Sequence, residues 1–160
     1  MLAQPRPMRL YSDTSVFGGC FDTAFDRSSR RLFEDVRAGL YRLIVSDVTL
    51  RELERSPDAV QRVFLELPDV QVERVLLSSE SLTLRDEYLS AGVLAVRWID
   101  DAAHVALATV ARADALVSWN FRHLVHLERI RQFNAVNLRL GYPLIEIRSP
   151  RELVHEPETD

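Results

Sequence analysis

Apolar and polar positions alternate in blocks along this chain, and the blocks predict strand, helix, strand, helix. Leu10, Tyr11 and Val16 fit a short buried strand ending near Asp13, with Gly18–Gly19 breaking it. Asp26 can cap a helix running to about Ala38, with Leu32, Phe33, Val36 and Leu40 on one face and Gly39 past its end. YRLIVS at 41–46 reads as a second buried strand that leads directly into a short helix, DVTLRELERS. Ser56 and Pro57 open a further helix striped by Val60, Val63, Phe64 and Leu67, and Pro68 ends it. Val70, Val72 and Val75 suggest a short extended piece. Ser79 can cap a helix over about Glu80–Ala91, stopped by Gly92.

The stretch from Trp98 to His123, WIDDAAHVALATVARADALVSWNFRH, is different. Two carboxylates stand at its entrance and a helix apolar on all sides follows, the mark of a core helix. A polar turn at Arg112–Asp114 and a short strand, ALVSW, lead to Asn120. Beyond it, Phe121–Leu140 reads as mainly helical and cationic, PLIEI at 143–147 as a last strand, and Ser149-Pro150-Arg151-Glu152 as a capped helix start. This alternation predicts an α/β domain around a mainly parallel sheet. One domain over 9–155 is expected, with flexible tails at 1–8 and, acidic, at 156–160.

Composition changes the picture in two places. All 20 basic residues are Arg. Mechanisms that need Lys are thereby excluded: P-loop NTPases, Schiff-base enzymes and receiver-type phosphorylation switches. The net charge of −4 argues against a broad cationic coat for nucleic acid, though not against a local Arg stripe. No apolar run approaches the roughly 20 residues of a membrane span. The single cysteine, Cys20, reads as a small buried hydrophobe and leaves no internal disulfide; with no apolar leader at the start, a cytoplasmic setting is expected.

The chemistry lies in acids at element ends. Asp13 ends the first strand, Glu52 follows the second, and Asp100 and Asp101 open the core helix. In a parallel sheet the carboxyl ends share one edge, so these residues converge on one cleft. Carboxylates gathered there raise each other's pKa unless a cation relieves them, and oxygen ligands without a His/Cys cage suit Mg²⁺ or Mn²⁺. Such ions activate water and stabilise a phosphodiester in transit. Each acid also has a structural reading. Asp13 can cap the next helix, Glu52 completes a Thr49-x-x-Glu52 capping box, and Asp100 and Asp101 suit a helix start.

Taken together, YSDTSV, VTLREL, DDAAHVALA and DALVSWNF resemble the PIN domain, most closely the VapC-type toxins of toxin–antitoxin pairs. The resemblance runs from about Arg9 to Leu153 and implies a three-layer α/β/α sandwich with a sheet of about five strands. It implies Asp13, Glu52 and Asp101 as metal ligands for Mg²⁺ or Mn²⁺, with Asp100 a cap or outer neighbour of Asp101. Thr14 or Ser15 would orient Asp13 or a metal-bound water, and Ser118-Trp119-Asn120 stands where the family often has T-x-D. Asn120 brings no charge there, so a second metal would be held more weakly.

His104 falls three residues after Asp101 on the same helical face and is either an outer-sphere donor or a core histidine. Trp119 and Phe121 are candidates to stack on bases, and Arg122, Arg129 and Arg131 to hold phosphates, against plain core and solvated roles. The resulting expectation is a metal-dependent ribonuclease acting on RNA, a homodimer, with a small antitoxin plugging its acidic cleft. The alternative is a catalytically weak PIN-domain protein that mainly binds RNA or a partner, with Asn120 as the sign. Haloacid-type phosphatases need an Asp where Ser15 stands, and dinucleotide binding needs a Gly-x-Gly-x-x-Gly turn that Gly18–Gly19 do not supply.

Overall fold

The structure is a computed structural model and describes residues 6–153. Its strands are β1 (Met8–Ser12), β2 (Tyr41–Ser46), β3 (Val72–Val75), β4 (Ala115–Val117) and β5 (Ile147–Arg148). They form one sheet in the order β3-β2-β1-β4-β5, parallel at every pairing. Its helices are α1 (Thr14–Gly19), α2 (Asp26–Arg37), α3 (Asp47–Glu54), α4 (Asp58–Leu65), α5 (Ser79–Ser90), α6 (Ile99–Val110), α7 (Leu127–Arg139) and α8 (Pro150–Leu153).

Period-two alternation sets the layers, because successive strand residues leave opposite faces. Leu10, Leu43, Val45, Ala115 and Val117 enter one core with Val16, Phe17, Leu32 and Phe33 of α1 and α2. Tyr11, Ile44 and Leu116 enter the other, with Leu84 and Tyr88 of α5, the whole inner run of α6, and Phe133 of α7. The result is the expected α/β/α sandwich. Every residue from Ala102 to Thr109 is buried, so α6 has no wet face, as its composition predicted. A bulkier side chain anywhere along it would overpack, at a cost of about 1–3 kcal/mol.

Helix ends explain most boundaries. Gly39 and Gly92 follow α2 and α5 with φ of 81° and 75°, a left-handed conformation that side chains resist. Ser46, not Thr49, caps α3, accepting the Thr49 N–H at 3.3 Å, so the Thr49/Glu52 box does not form and Glu52 is free for other work. Ser78, one residue before the expected Ser79, caps α5 in a reciprocal box with Ser81. Neither Asp26 nor Ser56 is a cap; Phe25 and Pro57 hold those positions. The Ser149–Glu152 pair does close, with the Glu152 carboxylate accepting the Ser149 N–H at 2.9 Å.

Three expectations change. Val16 belongs to α1 rather than to the first strand, which starts at Met8, inside the tail expected over 1–8. The helix expected from Phe121 starts only at Leu127. Asn120 intervenes: its side-chain oxygen accepts the His123 N–H at 2.9 Å, and its carbonyl accepts from Leu124 and Val125. The last strand is confined to Ile147–Arg148, because β4 offers only three residues to pair with. Residues 1–5 and the acidic tail at 156–160 lie outside the described residues.

β1 is the switch point of the sheet. The chain winds from β1 to β2 and β3 on one side, then crosses through α5 and α6 to β4 on the other. The crevice at the carboxyl ends of strands that diverge in this way is where open α/β sheets place ligands. Asp13 follows β1 there and Ser118 follows β4, and the Asp13 N–H reaches the Val117 carbonyl at 3.4 Å.

Candidate active site

Asp13 is both the cap of α1 and the centre of the cluster. Its Oδ1 accepts from the Ser15 N–H at 3.1 Å and from the Ser15 hydroxyl at 2.6 Å. Its Oδ2 accepts from the Ser118 hydroxyl at 2.5 Å. Ser15 and Ser118 are fixed in turn by backbone donors, Trp119 N–H at 2.9 Å and Asn120 N–H at 2.9 Å. Of the two hydroxyls expected to orient Asp13, Ser15 does so, and Thr14 donates instead to Glu52 Oε2 at 2.9 Å. Burial pushes the Asp13 carboxyl above the usual carboxylate range and the neighbouring Glu52 adds to this. His104 and the two serine hydroxyls pull against it.

Glu52 faces His104 through Oε1 and Nε2, 2.8 Å apart. The His104 ring is 1% exposed, and its Nδ1 lies 2.8 Å from the Tyr11 hydroxyl, which lies 2.7 Å from Ser46 Oγ. Burial alone would push the imidazole down. Tyr11, the hydrogen-bonded Glu52 and nearby Asp13 outweigh burial and hold His104 well above its ordinary range. Burial would likewise raise Glu52, but the His104 bond and charge, with Thr14 and Arg51, hold it below the usual range. When His104 is protonated, both ring nitrogens donate, to Tyr11 and to Glu52, and Tyr11 in turn donates to Ser46. Thr49, 3.5 Å from Ser46, donates to the Ser12 carbonyl at 3.1 Å. His104 is thus both a buried core histidine and a donor to the acid cluster.

Asp101 turns elsewhere. Its Oδ2 lies 2.8 Å from His123 Nδ1 and accepts from Asn120 Nδ2 at 3.3 Å. Since Asn120 Oδ1 accepts a backbone N–H, the amide orientation is fixed and its nitrogen must face Asp101. This gives a reason for an amide at the T-x-D position: an aspartate would set two carboxylates against each other. Asp100 is exposed, is not the cap of α6, and pairs with Arg51 at 3.5 Å.

Hydrogen bonds connect the parts, from Glu52 to Thr14 beside Asp13, and from Asp13 through Ser118 and Asn120 to Asp101. Among the described residues, no three His, Cys, Asp or Glu side chains are disposed to hold a metal ion. Asp13 and Glu52 are hard carboxylates, the kind of ligand of which Mg²⁺ takes one or two while water and phosphate complete its shell. The upward push on Asp13 comes mainly from burial, and the charge of Glu52 is a smaller contribution.

The residues expected to meet nucleic acid fare unequally. Trp119 is corrected: it is 6% exposed, stacks on Phe25 at 4.2 Å and donates its indole N–H to Ser29 at 2.8 Å, so it is a core residue. Arg129 is tied to the Val93 carbonyl at 2.5 Å. Arg131 and Arg122 are exposed. Reading along the sequence missed Tyr11, Ser46 and His123, and missed Trp98 as part of the site. Tyr11 and Ser46 looked like ordinary strand residues, and only the Tyr11-x-Asp13 spacing hinted that the ring and the acid share a strand end.

No family model matches this chain, and no curated protein matches it. Solved structures do. VapBC2 from Rickettsia felis, bound to a DNA fragment from its promoter, aligns over 89% of this chain and 98% of its own with TM-score 0.54 and 14% identity. FitAB bound to a DNA fragment aligns over 92% and 99%, with TM-score 0.55 and 12% identity. This chain has a PIN-like fold. VapC20 of Mycobacterium tuberculosis, a sarcin–ricin-loop-cleaving toxin, aligns over 71% of this chain and 92% of its own with TM-score 0.51 and 14% identity. Within the PIN-like fold, the Asp13, Glu52 and Asp101 of this chain stand at the sheet edge where the strand order switches.

Proposed function

We propose that this protein is a divalent-metal-dependent ribonuclease of the VapC type. The observation that carries the reading is Asp13: a carboxylate buried at the switch point, with Glu52 close enough to raise it further, on a PIN-like fold. Asp13 and Glu52 would hold Mg²⁺ or Mn²⁺, and Asp101, bonded to Asn120, would complete the outer ring. The ion supplies charge stabilisation to a phosphodiester and acidity to a bound water. Ser15 and Ser118 hold Asp13 in one rotamer, and Thr14 and His104 hold Glu52, so neither acid must reorganise when substrate arrives.

The same reading takes single-stranded or structured RNA as substrate, a second copy of the chain as a dimer partner, and a small antitoxin as inhibitor. An antitoxin Arg would seat on the acids for the same electrostatic reason as the metal. No helix among the described residues is long and apolar enough to cross a membrane.

A second reading has its own observation. Every acid of the cluster already has protein donors, and His104, whose surroundings favour its charged form, lies 2.8 Å from Glu52. That favours a PIN-like protein that binds RNA or a partner and cuts weakly. An RNase assay with Mn²⁺, comparing wild type with Asp13→Asn, separates the two. Cleavage lost in the variant supports the ribonuclease; equal inactivity with retained RNA binding supports the binder.

A further inference from the structure

We propose that Trp98, Arg97 and Arg122 form a subsite for one unpaired nucleotide, its base on the indole and its phosphate between the guanidiniums. The inference rests on RNA as ligand, which both readings above share. Trp98 precedes α6 and is half-buried, one side packed on the core. The Arg97 guanidinium lies over the indole, 5.2 Å from its centroid, and that of Arg122 also lies over it at 5.7 Å; both side chains are exposed, so a base that takes the ring displaces a guanidinium toward its phosphate. Two like charges converge on one ring, and among the described residues neither has a hydrogen-bond or carboxylate partner beyond that cation–π contact. Such a pair lacks an anion. Both line a cavity of about 470 Å³ that also reaches Asp101 and Asn120.

The acids of this cavity do not cancel the two cations. Asp100 is paired with Arg51 and Asp101 is engaged by His123 and Asn120. His123 joins platform to cluster, its ring 4.4 Å from that of Trp98 and its Nδ1 on Asp101. An aromatic platform beside paired cations is how single strands are held without a broad basic surface, and this chain has a net charge of −4. A duplex would not fit the role, since its bases already stack on one another. The place of Trp98 was hidden in the sequence because Trp119, in the more obvious SWNF segment, drew the same assignment.

The test is fluorescence anisotropy with a labelled single-stranded RNA octamer in EDTA, where binding is read without cleavage, at several salt concentrations. Trp98→Leu is expected to weaken binding at least about fivefold with an unchanged salt slope. Trp98→Phe, which keeps a smaller platform, should fall between it and wild type, and serves if the Leu variant does not fold. The double variant Arg97→Ala/Arg122→Ala, at exposed positions, should weaken binding and lower the slope of log K against log salt by about 0.7 for one lost phosphate contact. Folded variants that bind within about twofold of wild type, with the wild-type slope, overturn the subsite even if Mn²⁺-dependent cleavage is found. The expected losses in a protein that does not cleave overturn the ribonuclease reading and support the subsite.

Discussion

Two acid–histidine pairs flank the crevice, and they are built differently. Glu52–His104 and Asp101–His123 have the same 2.8 Å separation. In the first, both ring nitrogens are engaged, Nε2 by Glu52 and Nδ1 by Tyr11, and a chain of hydroxyls continues to the backbone of β1. In the second, the hydrogen bond is made by Nδ1, and the ring rests on Trp98 at the wall of an open cavity. The first pair is a strut between α3, α6 and the sheet. The second joins the cluster to a surface where a ligand can arrive. Equal distances therefore conceal unequal roles; what surrounds the pair decides.

The comparison breaks most visibly in catalysis. With single-stranded RNA and Mn²⁺, Asp13→Asn should lower cleavage about 10²-fold or more, because the charge at the reacting centre is lost. Asp101→Asn should cost only about tenfold, since Asp101 acts through Asn120 and His123. Equal losses in single-turnover rates would mean that Asp101 is a direct ligand after all.

Stability comes next. His104→Leu should cost about 3 kcal/mol, because it removes two partners at once from a buried site, that of Tyr11 and that of Glu52 Oε1, leaving Tyr11 only Ser46 and the part-exposed Glu52 only Thr14. His123→Leu should cost about 1 kcal/mol, since Asp101 keeps its Asn120 donor. Urea midpoints read both, and similar values would erase the distinction between strut and platform.

The strut also predicts a pH window. His104 is raised in the fold, so its contribution is complete below the unfolded value of about 6.5 and is lost as pH rises through the folded value. Glu52 is lowered, so its contribution is complete above about 4.3 and is lost as pH falls through the folded value. The stability gap between wild type and His104→Gln should therefore be widest at about pH 4.3–6.5 and narrow on either side. A gap that grows above pH 8 contradicts a protonated His104.

The smallest effect sharpens the other pair. Asn120→Asp should cost about 0.5–1.5 kcal/mol without metal, by setting a carboxylate against Asp101. Mn²⁺ should recover part of that loss and bind the variant more tightly than wild type. Calorimetry showing unchanged metal affinity removes Asn120 from the ring.

Much of this architecture was legible from side-chain pattern alone. YRLIVS is β2 to the residue, and the all-apolar run after Asp101 is the core helix α6. Gly39 and Gly92 end helices because only a residue without Cβ turns left-handed there cheaply. The acids at element ends were legible too, since a parallel sheet brings its carboxyl ends to one edge. What failed was local: Val16 in α1, the late start of α7, and the short β5. Each was decided by a partner distant in sequence or by one Asx side chain, which periodicity does not record.

By itself, then, the sequence determined the layered α/β fold and the candidacy of Asp13, Glu52 and Asp101, because burial periodicity and helix punctuation are local physics. Tertiary structure alone decided how those acids are divided. It turned Glu52 to His104 and Asp101 to His123, buried Trp119, and left Trp98 at the surface. These choices depend on which side chains meet across some 50 to 100 positions of chain: His104 on Glu52, Ser118 on Asp13, Trp119 on Ser29. A hydrogen bond is satisfied in space, and its partner's place in the sequence carries no local trace.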